Sequence, residues 1–372
     1  MGTDLPAREK WELFLRGQDV GPLVSPLCDN WSLDVPYHWP YDEPEPFQEG
    51  HRARTLGEQI AMAKVCGWDP TFLASIPFTP RDPDIEPQVK TTQLGGGGRR
   101  TETVIRTPYG DLTSVSEHKA TSRTVKAELA SQEDYRRKAW VVRRAMDYGE
   151  DAAIAAGREL ARAVGDKGVL GTWFGPPAMA VNHDEMHYHL ADFPDAAMEL
   201  RAATRELQLT QLDTLRKSGF DYLFYCVSGT EWISPSFFAE SILGDTLAIF
   251  ARWRALGGFI LWHSCGHLAR LVERGFYNQC LPEVFETLSE PPVGNLPSLA
   301  WARQQLDPRI ATKGNIPLGV LLNGTEEQVR EEVRRVREQT RGTRHIVGLS
   351  DDVLANTPLA NARALVDEAR RR

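Results

Sequence analysis

The stretch Gly257-Gly258-Phe259-Ile260-Leu261-Trp262-His263-Ser264-Cys265-Gly266 carries the strongest fold signal in the chain. Its apolar part predicts a buried strand over 258–263, and Gly266 is typical of the turn that follows such a strand. Because side chains on a strand alternate between its two faces, His263 and Cys265 lie on the same face, about 6–7 Å apart along the chain. A histidine and a cysteine so placed supply half of a zinc site, although a buried core histidine beside an inert cysteine has the same pattern.

The composition around this stretch is that of a globular protein with a large core. The chain has 372 residues, of which 41% are hydrophobic and 25% are charged. This length allows one α/β barrel or two domains. The formal net charge is −8 and the pI is near 5.7. Nucleic acid is therefore not an expected partner, because binding to phosphate requires a basic surface.

The sequence also bears on compartment. No apolar stretch approaches the ~20 residues that a membrane-spanning helix requires, so we expect no membrane association. The first residues, Met-Gly-Thr-Asp-Leu-Pro, lack the basic and apolar regions of an export signal. The five cysteines are scattered and odd in number. They favour free thiols over a disulfide framework and predict a cytoplasmic protein.

Short runs of β-branched and aromatic residues alternate with amphipathic stretches, which is typical of parallel βαβ units. The predicted strands are 22–28, 71–76, 168–174, 221–227, 258–263, 276–281, 309–316 and 344–349. The clearest predicted helices are 54–66, 134–163, 194–218, 235–255, 267–274, 325–340 and 358–371. Eight strands with interleaved helices predict an α/β fold of the (β/α)8 TIM-barrel type. We expect it to form a single domain over residues 1–372.

Residues 78–122 interrupt this alternation. Tyr109-Gly110-Asp111 is typical of a turn between two antiparallel strands, so we predict a β-hairpin insertion near residues 100–122. The glycine run 95–98 is not followed by the Lys-Ser/Thr and helix of a phosphate-binding loop. We therefore interpret that run as a flexible connector.

The ends of the predicted strands place polar residues at one mouth, because the active sites of such barrels lie where the strands end. His263, Cys265 and Asp351 can supply three metal ligands and leave one coordination position open, as in a catalytic zinc site. Glu231 is a candidate fourth ligand or outer base, and Asp352 can replace Asp351. Each acidic residue can instead cap the helix that follows it.

A second group of histidines lies at His183, His187 and His189. His183 and His187 are spaced i, i+4, but the intervening glutamate does not occupy the position of the zinc-protease motif. We favour a lid that faces solvent or substrate over a metal site for this segment.

Several blocks of the chain, taken in order, resemble one family. They include FDYLFYCVSGTEWISPSFF (220–238), FILWHSCGHL (259–268), ETLSEPPVGNL (286–296) and ANTPLANARALVDEAR (355–370). Together they resemble the uroporphyrinogen decarboxylase superfamily over nearly the whole chain, specifically its methyltransferase branch. That branch includes zinc-dependent corrinoid methyltransferases that act on coenzyme M. The resemblance implies a (β/α)8 barrel, in agreement with the strand count.

Three departures from the family pattern bear on function. The stretch PLVSPLCDNWS (22–32) has no arginine where the decarboxylases bind porphyrinogen carboxylates, and ASIPFTP (74–80) lacks their catalytic aspartate. A pocket without cations leaves those carboxylates uncompensated, which argues against decarboxylation. The zinc methyltransferases use His-x-Cys and a later cysteine; the first pair matches His263 and Cys265, and the later position is Asp351. One thiolate and one carboxylate still make a Zn²⁺ site formally neutral.

The resemblance implies a methyltransferase that moves a methyl group between a small methylated substrate and a thiol or a corrinoid on a partner protein. Zinc would be bound by His263, Cys265 and Asp351, Glu231 would transfer a proton, and a homodimer is expected. Trp173 and Tyr225 would form an aromatic wall for the corrin or substrate, with Trp31, Tyr37, Trp39, Phe174 and Trp232. Two alternatives stay open. A uroporphyrinogen decarboxylase predicts turnover without metal, and a non-catalytic binder predicts neither metal nor methyl transfer.

Overall fold

The computed structural model describes residues 5–27, 56–118, 122–177, 183–354 and 357–371. The chain divides into two compact units, which we describe separately. The first comprises Met1–Ser75, Ala156–Gly175 and Arg216–Arg372, and the second comprises Ile76–Ala155 and Pro176–Leu215. That residues 1–372 form a single domain stays a prediction.

The strands, in chain order, are β1 Leu23–Val24, β2 Thr71–Leu73, β3 Gln88–Gln93, β4 Arg99–Ile105, β5 Leu112–His118, β6 Ser122–Lys126, β7 Val169–Phe174, β8 Tyr222–Val227, β9 Phe259–Ser264, β10 Val284–Glu286, β11 Ala311–Ile316 and β12 His345–Leu349. The helices are α1 Ala7–Leu15, α2 Leu56–Cys66, α3 Gln132–Arg144, α4 Glu150–Val164, α5 His183–Asp192, α6 Pro194–Lys217, α7 Pro235–Phe237, α8 Leu243–Ala255, α9 Ala269–Glu273, α10 Phe276–Cys280, α11 Leu299–Gln305, α12 Leu318–Asn323, α13 Glu326–Gln339 and α14 Leu359–Arg370.

An eight-stranded sheet forms the first unit, in the order β1-β12-β11-β10-β9-β8-β7-β2. All neighbouring strands in it are parallel. This confirms the predicted α/β class and a strand order compatible with a TIM barrel. Among the described residues β1 and β2 form no ladder; the backbone N–H of Asp69 donates to Val24 O between them at 2.7 Å. Closure of the barrel stays a prediction.

One predicted strand is wrong. Residues 276–281 are not a strand, since Phe276–Cys280 forms α10. The strand that lies between β9 and β11 in the sheet is β10, Val284–Glu286. The buried side chains of α10 are Phe276, Tyr277 and Cys280, a spacing that buries one side of a helical turn. The predicted helix 134–163 is two helices, α3 and α4, and the predicted helix 235–255 contains a π-helical segment at Phe238–Ile242.

Alternate residues of the strands pack together in a hydrophobic core on one face of the eight-stranded sheet. Tyr222, Phe224 and Leu261 belong to this core, together with Trp11 and Phe14 of α1. Gly171 of β7 leaves room for a large ring, because a Cβ there would lie 2.2 Å from Cζ of Tyr222. Because side chains alternate along a strand, Tyr222 and Phe224 of β8 and Leu261 of β9 face this core, and their immediate neighbours face away from it.

The second unit contains an antiparallel sheet in the order β3-β4-β5-β6. The predicted hairpin is confirmed as β4 and β5, joined at Gly110, whose φ of +101° suits glycine. The insertion is larger than predicted, because β3 and β6 extend it on both sides. The glycine run 95–98 forms the turn between β3 and β4, with Leu94 N donating to Gly98 O at 2.7 Å.

Candidate active site

Three donor side chains meet at the ends of β9 and β12. Nitrogen, sulfur and oxygen atoms of His263, Cys265 and Asp351 all lie within 4.8 Å of one another. They are the one such group of three histidine, cysteine or acidic side chains among the described residues. Nε2 of His263 is 3.9 Å from Oδ1 of Asp351. The predicted juxtaposition of these three residues is therefore present, and Asp351 rather than Asp352 belongs to the group.

The orientation of His263 is fixed by a buried carboxylate. Nδ1 of His263 lies 2.7 Å from Oε1 of Glu286, directly across from it in the β9–β10 ladder. The other oxygen of Glu286 accepts from the ammonium of Lys313 on β11. Glu286 and Lys313 are 2% and 1% exposed. With Nδ1 engaged, Nε2 is the ring nitrogen that faces Asp351, the arrangement expected of a histidine that binds metal.

The ionisable side chains of this group change one another's pKa. Burial opposes ionisation of Glu286, but Lys313 and the hydrogen bond with His263 outweigh it and lower the pKa of the carboxyl. Burial lowers the pKa of His263, yet hydrogen bonds with Cys265 and Glu286 raise it above its usual value. Burial raises the pKa of Cys265, but hydrogen bonds with His263 and Ser228 lower it overall. The hydrogen bonds from its neighbours thus stabilise the thiolate form of Cys265 relative to the thiol.

Glu231 lies beside the loop that carries Cys265. Thr230 anchors this contact, since its backbone N–H and its hydroxyl both donate to the carbonyl of Cys265, at 3.2 and 3.0 Å. A Cβ at Gly266 would lie 2.2 Å from Oε2 of Glu231 and 2.9 Å from the nitrogen of Thr230. Because Gly266 has no side chain, the loop that follows β8 can pack closely against the loop that follows β9. The carboxylate of Glu231 thereby lies against the backbone of Gly266, next to Cys265.

Of the two aromatic residues predicted to form the wall of the site, Trp173 is exposed and Tyr225 is buried. Trp173 pairs with Phe224 in the β7–β8 ladder, and their ring centroids are 4.5 Å apart. The ring of Phe224 is in turn 5.0 Å from that of His263. Trp173 is 41% exposed, so it extends this inward-facing row of rings to the mouth.

The prediction that Tyr225 lines the mouth is wrong. Tyr225 is fully buried, its hydroxyl is 2.7 Å from Oγ1 of Thr246, and its ring packs against Phe250 of α8. The physical reason is strand alternation, because Phe224 and Cys226 face inward and Tyr225 must face the helices. Trp232 is 54% exposed. Trp31, Tyr37 and Trp39 lie outside the described residues.

The histidine cluster forms part of α5 in the second unit. Nδ1 of His189 lies 3.1 Å from the hydroxyl of Tyr135, whose pKa is raised to about 12 by burial and by Glu185. The side chain of His183 lies outside the described side chains. A role of this helix as a lid stays a prediction.

Sequence reasoning missed Glu286 and Lys313. The strand that carries Glu286 is only three residues long, and the sequence pattern predicts the corresponding strand at 276–281 instead. Two signals were present in the sequence: an acidic residue closing the apolar pair Val284-Phe285, and a lysine within the run 309–316. A charged side chain inside a buried strand requires a charged partner, and these two residues satisfy each other.

Comparisons with known proteins identify the family of the chain and a structure with the same fold. The family model for uroporphyrinogen decarboxylase (URO-D) matches residues 134–372. None of the curated proteins compared with the chain matches it significantly. A methyltransferase from Methanosarcina mazei is similar in structure, with a TM-score of 0.60, 13% identity, and 98% of each chain covered. A B12-independent methionine synthase from Shewanella has a TM-score of 0.44 and 11% identity over 94% of this chain and 97% of its own. The first similarity establishes a shared fold.

No helix in the described parts of the chain has both the length and the apolar character needed to cross a bilayer.

Proposed function

The chain belongs to the uroporphyrinogen decarboxylase family, and we propose that it is a methyltransferase with a zinc site at His263, Cys265 and Asp351. It would move a methyl group between a small methylated substrate and a thiol or a corrinoid protein. The observation that carries the proposal is the convergence of three donor atoms within 4.8 Å. The shared fold of the Methanosarcina mazei methyltransferase supports it.

The donor set suits zinc. Imidazole nitrogen, thiolate sulfur and carboxylate oxygen are all zinc ligands, and three protein ligands leave a position for substrate. The contact of Glu286 with Nδ1 of His263 is the outer partner that metal-binding histidines commonly have. When bound, zinc would supply the positive charge that keeps a substrate thiol deprotonated or polarises a methoxy oxygen.

The protein residues have separate roles in this proposal. Glu286 holds His263 in one orientation, and Lys313 balances the charge of Glu286. Glu231, next to the Cys265 loop, is placed to transfer a proton at the mouth. Trp173 and Phe224 provide an apolar wall that excludes water from the inward-facing donors.

We propose that a corrinoid carried by a partner protein donates or accepts the methyl group. The support is the resemblance of the chain to corrinoid methyltransferases together with the exposed indole of Trp173, which offers a flat apolar surface. Decarboxylation of a porphyrinogen has less support, because the stretch 22–32 contains no arginine.

Zinc content tests the site. We expect ~1 zinc per chain in the purified protein and loss of that zinc in His263→Ala and Cys265→Ala. Cys280→Ala is the matched control, because Cys280 is a buried cysteine of α10. Absence of zinc after reconstitution, or equal loss in the control variant, would contradict the metal site.

Methyl transfer tests the activity. The protein is mixed with methylcobalamin and a simple thiol, and the visible spectrum is followed anaerobically for formation of cob(I)alamin. We expect transfer by the wild type and loss in Cys265→Ala. Decarboxylation of uroporphyrinogen without methyl transfer would overturn the proposal in favour of the family's named activity.

A further inference from the structure

The second unit of the chain has a regular, exposed sheet edge. Strand β3, Gln88–Gln93, lies at one edge of the antiparallel sheet, and all six of its residues are exposed. It pairs with β4 over its full length without a register shift. Val89 is 60% exposed, and Lys90 is the single charged residue of the strand. A regular edge strand with few charges is a template on which another strand can pair.

The hydrogen bonds of the hairpin show which residues of β3 direct their backbone groups outward. Leu94 N donates to Gly98 O at 2.7 Å, so these two residues form a hydrogen-bonded pair just beyond the strand. Hydrogen-bonded and non-hydrogen-bonded pairs alternate along an antiparallel ladder, and the register continues from this pair into β3. The N–H and C=O groups of Val89, Thr91 and Gln93 therefore point away from β4 and form the outer edge.

The opposite edge of the same sheet has a different character. Strand β6, Ser122–Lys126, forms that edge, and its ladder with β5 has a register shift between Val115 and Ser116. Two of its five residues, Arg123 and Lys126, are cations. Bulges and positive charges are features that prevent edge-to-edge pairing. The edge at β6 is thus protected against association, whereas the edge at β3 is not.

From this contrast we propose that β3 is a homodimer interface, at which β3 of a second copy of the chain pairs antiparallel and joins the two sheets into one. The twofold axis passes between Thr91 and the partner's Thr91. In this register all the outward-facing residues of both copies meet, because Val89 then lies opposite Gln93 of the partner subunit. Each hydrogen-bonded pair exchanges two bonds, so the interface has about six backbone hydrogen bonds.

The charges of the sheet are compatible with this register. Lys90 lies opposite Thr92 of the partner subunit, so the two Lys90 ammonium groups are not direct neighbours. Within its own sheet, Lys90 lies opposite Glu102 in the ladder. Arg100 is the register partner of Thr92 and donates to Glu117 at 3.2 Å. Each cation of the joined row therefore has a carboxylate on the side away from the interface.

A groove at the start of β3 supports the same arrangement. Glu86, Gln88 and Trp140 line part of this groove, which is open and has a volume of about 370 Å³. When the proposed register is continued, the partner's Gly95–Gly97 turn lies level with residues 85–87. A turn of three glycines has no side chains, so it can enter the groove beside the indole of Trp140.

The strength of association follows from the size of the interface. Six residues on each side bury less than the ~1,200 Å² of a standard protein–protein interface, so the dimer should dissociate on dilution. Sedimentation velocity of the full chain over a range of concentrations measures the dissociation constant. This measurement requires neither zinc nor methyl transfer, so its result is independent of the proposed function.

Charge on the twofold axis tests the interface. Thr91→Lys places two ammonium groups directly opposite each other, and we expect the dissociation constant to rise at least ~10-fold. Thr124→Lys is the matched control, because Thr124 is an exposed threonine of the other edge strand. It should leave the dissociation constant unchanged. Both positions are exposed, so urea unfolding should show that neither variant loses its fold.

A second variant tests the register. Thr92→Glu places a carboxylate opposite Lys90 of the partner subunit twice in each dimer, and we expect the dissociation constant to fall about 2- to 30-fold. In a separate pair of variants, a short bis-maleimide should crosslink Thr91→Cys into dimers but not Thr124→Cys.

Three results would overturn the proposal. The first is a chain that stays monomeric at concentrations up to ~200 µM. The second is a dimer whose dissociation constant is the same in Thr91→Lys as in the wild type, which would assign dimerisation to another surface. The third is crosslinking of Thr124→Cys as efficient as that of Thr91→Cys.

Discussion

Nδ1 of His263 lies 2.7 Å from Oε1 of Glu286, although the two residues are 23 positions apart in the chain. The contact joins adjacent parallel strands, in which His263 and Glu286 are direct register partners. It leaves Nε2 as the ring nitrogen that faces Asp351. The lateral pairing of two strands thus determines which nitrogen of the histidine is available as a ligand.

Replacement of Glu286 should weaken metal binding without removing a ligand. In Glu286→Gln we expect zinc affinity to fall about 10- to 100-fold, because the amide no longer provides a charged acceptor for Nδ1 of His263. Competition with a chromophoric chelator measures this affinity. Glu273→Gln on α9 serves as the control. Unchanged affinity in Glu286→Gln would show that the histidine orientation does not depend on the carboxylate.

Removal of Lys313 should destabilise the protein. In Lys313→Met the buried carboxylate of Glu286 loses its cation, and we expect the free energy of unfolding to fall by about 3–5 kcal/mol. Urea unfolding measures the change, with the exposed Lys167→Met as control. The double variant Lys313→Met/Glu286→Gln should recover part of the loss. A double variant less stable than Lys313→Met would contradict the charge-pair explanation.

A methyl group at Gly266 should disturb the mouth. Gly266→Ala places a Cβ 2.2 Å from Oε2 of Glu231 and 2.9 Å from the backbone nitrogen of Thr230. Gly110→Ala is the matched control, because φ is +101° at Gly110 and +107° at Gly266, but a Cβ at Gly110 would approach only the flexible guanidinium of Arg137, at 3.1 Å from Nη2. We expect a larger loss of unfolding free energy in Gly266→Ala, by ~1 kcal/mol or more. Equal losses of unfolding free energy in the two variants would mean that the contact with Glu231 and Thr230 costs nothing beyond the backbone strain of alanine at a positive φ.

The pH dependence of stability should depend on His345. Burial is the main cause that lowers the pKa of His345 to about 3. The neutral ring is held by Oγ1 of Thr312 at 2.9 Å and by the carbonyl of Gly314 at 2.8 Å. The unfolded chain takes up a proton near pH 6.5 while the folded chain does not. Stability should therefore decrease as the pH falls from about 6.5 toward 3.

The comparison of His345→Gln with the wild type checks this assignment. Urea unfolding at pH 7 and pH 5 should show a smaller loss of stability between the two pH values in His345→Gln. A loss as large as that of the wild type would assign the acid sensitivity to other groups.

Local pattern predicted most of the fold and half of the site. The apolar run ending at His263 predicted β9, and the period of two placed His263 and Cys265 on one face. The same period excludes Tyr225, since it lies one residue from the inward-facing Phe224 and Cys226. That prediction failed because aromatic character was considered without strand parity.

The short strand β10 was missed for a different reason. Three residues are too few to show a period, whereas Phe276–Cys280 resembled a strand in composition. With β10 misplaced, Glu286 had no predicted position next to His263, and Lys313 had no predicted partner.

The sequence by itself determined the alternation of helices and strands, the pair His263 and Cys265, and the family resemblance, because these depend on local spacing and composition. Only the tertiary structure decided that Asp351 rather than Asp352 lies in the donor group, that Glu286 and Lys313 lie beneath it, and that Glu231 reaches the Cys265 loop over Gly266. Those relationships join residues of different strands and loops. They depend on strand register and on close backbone approach, which local sequence does not encode.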